Sequence, residues 1–512
     1  MGYLAAEGVE VGLKQKIVLL PLDERPCNAA FPQKLFDGDS VHICVPDCLG
    51  RKKQPAKAEA ILPFLQRECR DADGLIVSMD MLLYGGLVPS RLHTLDERTV
   101  MERMNWLCAL KREFPKLMIY AFQCIMRCPS YSSSDEEPDY YEQYGSQIHE
   151  SGKLKHQHLL GLCDAEQVQK AIDAIAPAAL TDYLERRAFN LSFNQRVLEL
   201  VRDGTIDFLV LPQDDSAPYG YTAIDQQKIR EQIAQMNLQL RVHMYPGADE
   251  VALTLVSRML LHLQGKRPRI FLKYAAHTAQ NVIPTYEDRT LGESVKCHIA
   301  AAGCRLADAA AEADFVMAID CPAGKMKEAV NQPAHNADYD VERSLTEFVE
   351  YISDCVHDGK PVTVCDNAYA NGGDLELISL LNQADLLDQL AGYAGWNTSA
   401  NTMGTAIAQG VYHFLLGDTA QSKDFLALRY MEDVGYCAVV RQFVTNHVLS
   451  GYGMDYFDVH EEQGAVSREV QRQLELFSQK HLTSICDHIQ LQSVRMPWKR
   501  MFETDLSVRW MP

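Results

Sequence analysis

Short apolar runs alternate with longer amphipathic segments along most of the chain, and this alternation limits the possible folds more than any other feature. Each run has about five residues and is rich in Val, Ile, Leu and Phe, which is typical of strands buried on both faces of a parallel sheet. The runs are residues 16–20, 41–45, 74–78, 117–122, 207–211, 240–244, 269–273, 314–319, 361–365 and 390–394.

Helical patterns between the runs predict an α/β protein whose parallel sheet is covered by helices. We expect a (β/α) barrel-like core with a C-terminal helical appendage. Two doubly wound α/β domains in series are the alternative, because ten runs exceed the eight strands of a simple barrel. No glycine-rich linker divides the chain.

The fading of the strand pattern after about residue 417 suggests three segments. Residues 1–15 are interpreted as an N-terminal extension, residues 16–417 as the α/β catalytic core, and residues 418–512 as a helical C-terminal region. Residues 129–144 are polar and aromatic and contain two prolines. We expect them to form a long loop, or lid, over the strand ends.

The charge balance limits the partners that the chain can bind. It has 49 Lys and Arg against 69 Asp and Glu, so its formal net charge is −20, and we expect neither nucleic-acid nor membrane binding. The first residues of the chain do not have the pattern of a signal peptide. The chain has 15 cysteines, an odd number, which is typical of a protein whose thiols stay reduced. A cytoplasmic location is therefore expected. The oligomeric state is left open.

Polar and acidic residues follow most of the predicted strands. Active sites of parallel α/β folds form at the carboxyl ends of the strands, so these residues are the candidates. The candidate catalytic residues are Asp214, Asp215, Asp249 and Glu250. The candidate substrate-binding residues are Asp23, Arg25, Asp80, Tyr84, Arg91, Asp366, Asn367, Asn371, Asp374, Trp396 and Asn397.

Carboxylates near amide and aromatic side chains suit a sugar substrate. Paired carboxyl groups supply general acid and base for glycosidic cleavage, while amides and aromatic rings bind hydroxyl groups and ring faces. We therefore predict a glycoside hydrolase acting on a small oligosaccharide or glycoside. A Mg²⁺-dependent hydrolase or lyase using the same carboxylates and a non-enzymatic sugar-binding protein are the alternatives. No nucleotide-binding or His-rich metal motif occurs, so no cofactor and no metal ligand are assigned.

The Asp214–Asp215 pair is the first choice for the acid–base step. Adjacent strand-end residues point to different sides, so we predict that Asp215 donates the proton. Asp214 would then orient substrate or stabilise developing positive charge, with Asp249 or Glu250 as the next candidate. Helix caps and tight turns are the structural alternative for each of these acids.

The motifs PLDERP, DxLLYGGLxPSR, QDDxxPYG, YPGADE, NAYANGGD and GWNTxxNTxGTA resemble those of a bacterial domain-of-unknown-function family. The match would cover residues from about 16 to 417, and it implies no activity.

Two windows also resemble hydrolases of O-linked N-acetylglucosamine, which are hyaluronidase-like (β/α)8 barrels. The resemblance implies that Asp214 orients the substrate's N-acetyl group and that Asp215 is the general acid/base. It also implies that Asp366, Asn367, Asn371 and Asp374 bind sugar hydroxyls. The chain departs from that family in its first-strand motif, in Cys365, which replaces a Trp, and in one additional strand between the two windows.

Overall fold

The computed structural model describes residues 14–332 and 336–512. The predicted N-terminal extension lies outside them except for its last two residues, and the first strand begins at Gln15. Among the described residues, no helix is both long and apolar enough to span a membrane.

Six parallel strands form the first sheet. They are β1 (Gln15–Leu20), β2 (Val41–Cys44), β3 (Gly74–Ser78), β4 (Met118–Phe122), β5 (Phe208–Gln213) and β6 (Val242–Pro246). Their spatial order is β2-β1-β3-β4-β5-β6. The order reverses between β1 and β3, as in doubly wound folds, where this switch point opens a crevice at the carboxyl ends.

A second parallel sheet follows in the chain. The strands are β7 (Arg269–Tyr274), β8 (Arg305–Leu306), β9 (Phe315–Asp320), β10 (Lys327–Glu328), β11 (Val362–Asp366), β12 (Tyr369–Ala370) and β13 (Gly392–Ala394). Five of them pair in the order β13-β11-β9-β7-β8, while β10 and β12 form a small separate pair.

All ten predicted runs form strands, but they do not close into a barrel. The strand order leaves β2 and β6 at the edges of one sheet and β13 and β8 at the edges of the other. The barrel expectation is therefore corrected in favour of two doubly wound sheets in series. The reason is the reversal of strand order within each sheet, which leaves free edges where a barrel would close.

Helices cover both sheets and pack between them. They are α1 (Pro26–Ala29), α2 (Phe31–Phe36), α3 (Ala58–Glu68), α4 (Met79–Tyr84), α5 (Leu87–Leu92), α6 (Glu97–Glu113), α7 (Tyr141–Leu159), α8 (Ala165–Asp173), α9 (Pro177–Arg202), α10 (Tyr221–Gln235), α11 (Val251–Leu263), α12 (Leu291–Ala301), α13 (Ala337–Asp340), α14 (Leu345–His357), α15 (Leu375–Gln383), α16 (Ser399–Leu416), α17 (Ala420–Arg429), α18 (Arg441–His447) and α19 (Ala465–His481). Helices α11, α12 and α16 pack on one another between the sheets. One continuous apolar core includes residues from both sheets and from these helices.

The C-terminal region contains strands as well as helices. A π-helical segment, Tyr430–Val440, joins α17 to α18. An antiparallel pair, β14 (Ile489–Arg495) and β15 (Asp505–Trp510), follows α19. The helix predicted for residues 418–512 does not extend to this hairpin, whose residues 505–510 alternate in burial as strand residues do. The connection between the two strands reaches the carboxyl ends of the first sheet.

Candidate functional site

A cavity of about 230 Å³ lies where the carboxyl ends of the two sheets meet. Its walls come from loops after β1, β4, β5, β6, β12 and β13, and from the C-terminal region. The lining residues are Arg25, Leu87, Arg127, Tyr131, Ser133, Asp135, Glu136, Glu137, Asp214, Asp215, Asp249, Tyr286, Asn371, Asn397, Thr398, Tyr456, Phe457, Arg500 and Phe502. Six predicted site residues are among them.

The Asp214–Asp215 pair lies directly after β5 and faces two buried arginines. Arg91 Nη2 donates to Asp214 Oδ2 at 2.7 Å, and Arg127 Nη1 donates to Asp215 Oδ2 at 2.9 Å. In the described part of the chain, the Oδ1 atoms of both aspartates make no hydrogen bond. One oxygen of each carboxyl group is therefore fixed by a guanidinium, and the other remains available to a ligand.

The protonation of Asp215 is set by its surroundings. Burial and the charge of Asp214 raise the pKa of Asp215 to about 7, although Arg127 and Arg91 act in the opposite direction. A carboxyl group with this pKa holds its proton near neutral pH and can donate it. This environment suits the proton donor predicted from the sequence.

Asp249 lies on another wall, after β6, and is held by the first-strand loop. Its Oδ1 accepts from Arg25 Nη2 at 2.6 Å and from Asn28 Nδ2 at 2.9 Å. Its Oδ2 has longer contacts, at 3.3 Å to Arg25 Nη1 and 3.4 Å to Asn397 Nδ2. Burial raises the pKa of Asp249 to about 6, partly offset by Arg25. Asp249 is therefore mostly ionised at neutral pH.

Glu250 does not line the cavity, although its neighbour Asp249 does. Its side chain is fully buried, and Oε2 accepts from the Ala248 backbone N–H at 3.0 Å. Gly247 and Gly404 pack against this side chain, since a Cβ on either would lie 2.2–2.3 Å from it. The geometry gives Glu250 a place in the core and no contact with a ligand.

Several predicted binding residues lie behind the cavity wall. Asp23 is buried and accepts from Arg25 Nη2 at 2.7 Å, so it supports that arginine. Asp80 accepts from the Cys124 backbone N–H at 2.8 Å, and the Tyr84 ring stacks on His93. Asp80, Tyr84 and Arg91 surround a space of only about 10 Å³ beneath the main cavity.

The acidic residues that follow the second sheet form a closed cluster. Arg343 Nη1 donates to Asp320 at 2.9 Å and to Asp374 Oδ2 at 2.7 Å. Asp366 accepts from the Tyr393 hydroxyl at 2.6 Å. Asp374 also caps α15, accepting from the Glu376 backbone N–H at 2.8 Å.

This cluster and its neighbours do not line the cavity. Burial and the charges of Asp320 and Asp374 raise the pKa of Asp366 well above its ordinary value. Asn367 is buried beside it. Trp396 packs on Phe31 and donates to Thr405 at 3.1 Å, as a core aromatic does.

Strained backbone marks the cavity independently of its charges. Asp215, Tyr286, Asn371 and Asn397 line it and have φ between +43° and +71°. Asn and Asp tolerate this conformation, but it is costly for Tyr, and such residues cluster at ligand sites. The surrounding structure therefore holds Asn371, Asn397 and Tyr286 in this unfavourable backbone conformation.

A group of acidic and basic residues that no sequence motif predicted joins the two aspartates to the C-terminal region. Glu136 accepts from Arg91 at 3.0 Å, from Arg127 at 3.1 Å and from Arg500 at 2.7 Å. Arg500 also binds Asp135 at 2.6 Å. The predicted lid loop therefore supplies acids that hold the arginines of the site.

Aromatic residues complete the walls, and most were not predicted. Tyr131 comes from the same loop, Tyr286 from the segment after β7, and Tyr456 and Phe457 from the C-terminal region. The clustered tyrosines of residues 129–144 were the one visible signal.

The carboxylates of the cavity already have cationic partners. Arginines contact Asp214, Asp215 and Asp249. Across residues 14–332 and 336–512, no group of three or more His, Cys, Asp or Glu side chains is placed to hold a metal ion. The arginines therefore neutralise the carboxyl groups that face the cavity.

No curated protein matches the chain. A family model described as "Protein of unknown function (DUF4127)" matches residues 17–507, which include the C-terminal residues that complete the cavity. The resemblance to a domain-of-unknown-function family is thus confirmed, and it extends about 90 residues beyond the expected limit. The chain belongs to the DUF4127 family.

Proposed function

We propose that the protein is a glycoside hydrolase that acts on a small glycoside or oligosaccharide. The observation that carries the proposal is the pair of carboxyl groups in one cavity: Asp215, with a pKa of about 7, and Asp249, with a pKa of about 6. Between these values Asp215 is protonated and Asp249 is ionised. Glycosidic cleavage needs this combination of an acid and a carboxylate.

The remaining walls support a sugar substrate. Asn371 and Asn397 offer amide donors and acceptors to hydroxyl groups, and Tyr131 and Tyr286 offer ring faces. The guanidinium groups of Arg25, Arg127 and Arg500 are occupied by carboxylates of the protein. A substrate without negative charge fits this balance best.

A panel of nitrophenyl α- and β-glycosides, assayed with and without EDTA, tests the proposal. We expect hydrolysis of at least one member that is unaffected by EDTA. Loss of turnover in EDTA would favour the Mg²⁺-dependent alternative. Thermal stabilisation by free sugars without turnover would favour a sugar-binding protein.

Asp215→Asn is the sharpest variant for this test. We expect kcat to fall by about 10²–10⁴-fold, because a general acid is lost. The loss should be smallest for substrates with good leaving groups, which need little protonation. Asp354→Asn, at an exposed position on α14, is the matched control and should retain wild-type kcat. Wild-type turnover by a folded Asp215→Asn protein on a poor leaving group would contradict the proposal.

A further inference from the structure

A second, smaller cavity of about 30 Å³ adjoins the main one. The two cavities share five lining residues, Arg25, Asp249, Asn371, Asn397 and Phe502. Asp249 therefore borders both spaces, whereas Asp214 and Asp215 border only the larger. A water in the small cavity would therefore lie beside both Asp249 and the space that a substrate would fill.

The small cavity is large enough for a water molecule, and polar groups form part of its mostly apolar lining. A water molecule needs roughly 10–15 Å³ of such space and two to four polar partners. Asp249, Asn397 and Glu503 line the cavity, and so does Thr504. Thr504 is 1% exposed, and its hydroxyl makes no hydrogen bond to any residue in the described ranges. A buried hydroxyl of this kind requires a partner.

We propose that this small cavity holds the water that attacks the substrate, with Asp249 as its general base, so that the enzyme inverts the anomeric configuration. This inference rests on the proposed function and specifies its stereochemistry. In inverting enzymes a water sits between the base and the sugar, and in retaining enzymes a carboxylate attacks directly.

The contacts of Asp249 leave one of its oxygens for a water molecule. Its Oδ1 is fixed by Arg25 and Asn28 at 2.6 and 2.9 Å. Its Oδ2 has only contacts of 3.3 and 3.4 Å and remains the available proton acceptor. A proton that moves from water to Oδ2 leaves the two hydrogen bonds to Oδ1 in place.

The reaction balances with these groups alone. The water oxygen forms a bond to the anomeric carbon while its proton moves to Asp249. The bond from that carbon to the glycosidic oxygen breaks, and Asp215 gives its proton to the departing oxygen. Asp249 ends protonated and Asp215 ionised, and exchange of one proton with solvent restores both.

Proton NMR of the first-formed sugar tests the stereochemistry, using whichever nitrophenyl glycoside of the panel is turned over. A β-glycoside should first give the α-anomer, and an α-glycoside the β-anomer, before mutarotation. A first product that retains configuration would overturn this inference while leaving the glycosidase proposal intact. Failure to hydrolyse any glycoside would overturn both.

Thr504→Val tests the water site itself. Val has a similar shape but no hydroxyl, so we expect kcat to fall about tenfold with unchanged KM, because one hydrogen bond to the attacking water is lost. Thr254→Val is the matched control. Thr254 is also 1% exposed with an unpartnered hydroxyl, but it borders neither cavity. Equal kcat values for the two variants would overturn the assignment.

Discussion

The carboxyl ends of the two sheets carry similar acidic residues in different surroundings. At the first sheet, Asp215 and Asp249 each have a guanidinium on one side and open space on the other. At the second sheet, Asp320 and Asp374 share the Arg343 guanidinium, and the Tyr393 hydroxyl closes the cluster over Asp366.

This difference shows what separates a site from a structural cluster. Strand ends bring polar side chains together in both sheets, as the topology requires. Among the residues that the structure describes, only the first sheet leaves strand-end carboxyl oxygens without a protein partner beside a cavity. Acidic residues at a strand end therefore indicate chemistry when they remain accessible, and stability when the fold satisfies them.

Breaking the closed cluster should give the largest effect. Arg343→Met leaves Asp320 and Asp374 buried without their counter-ion, so we expect the free energy of unfolding to fall by about 3–5 kcal/mol. Urea denaturation followed by circular dichroism would measure it. Arg495→Met removes an exposed pair with Asp505 and should cost about 0–1 kcal/mol. Similar losses of unfolding free energy in both variants would contradict the structural importance of the buried Arg343 cluster.

The pH dependence of activity should report the ionisation of Asp215 and Asp249, the two carboxyl groups that face the main cavity. The pKa of Asp249 is raised to about 6 and that of Asp215 to about 7. Activity needs Asp249 ionised, so it falls as pH drops below 6, and it needs Asp215 protonated, so it falls as pH rises above 7. We expect a bell-shaped kcat/KM profile that is lower by about 100-fold at pH 4. A flat profile from pH 5 to pH 8 would refute these roles.

Asp366→Asn should change activity the least. It is also the most direct test of whether the acidic cluster of the second sheet differs in role from the acids of the first. Burial and the neighbouring acids raise the pKa of Asp366 well above its ordinary value, which favours the neutral form, and Asn is a neutral group of the same shape. We expect kcat and KM to stay within about twofold of wild type, since no transition-state contact is removed. A strong increase in KM would show that this cluster binds substrate, as the sequence pattern predicted.

Local patterns were sufficient to predict ten of the 15 strands in the described residues and the acids that follow them. They could not distinguish a barrel from two sheets, because strand order depends on pairing between distant segments. The same limit applies to the site. Asp215 and Asn397 follow strands and were identified, whereas the roles of Glu136 and Arg500 depend on contacts between separate loops. Whether Asp374 faces a cavity depends on Arg343, which no nearby motif indicates.

The contribution of the C-terminal region affects how the protein is made. Arg500 lies 285 positions after Asp215 in the chain, and it follows Trp498 and Lys499, whose φ angles are +56° and +55°. A ribosome adds about 5–20 residues per second, and domains generally fold as they emerge. The first sheet can therefore form many seconds before Arg500 exists. During that interval Glu136 lacks its third guanidinium and the cavity lacks a wall, so the nascent chain carries Asp214 and Asp215 without a finished cavity around them.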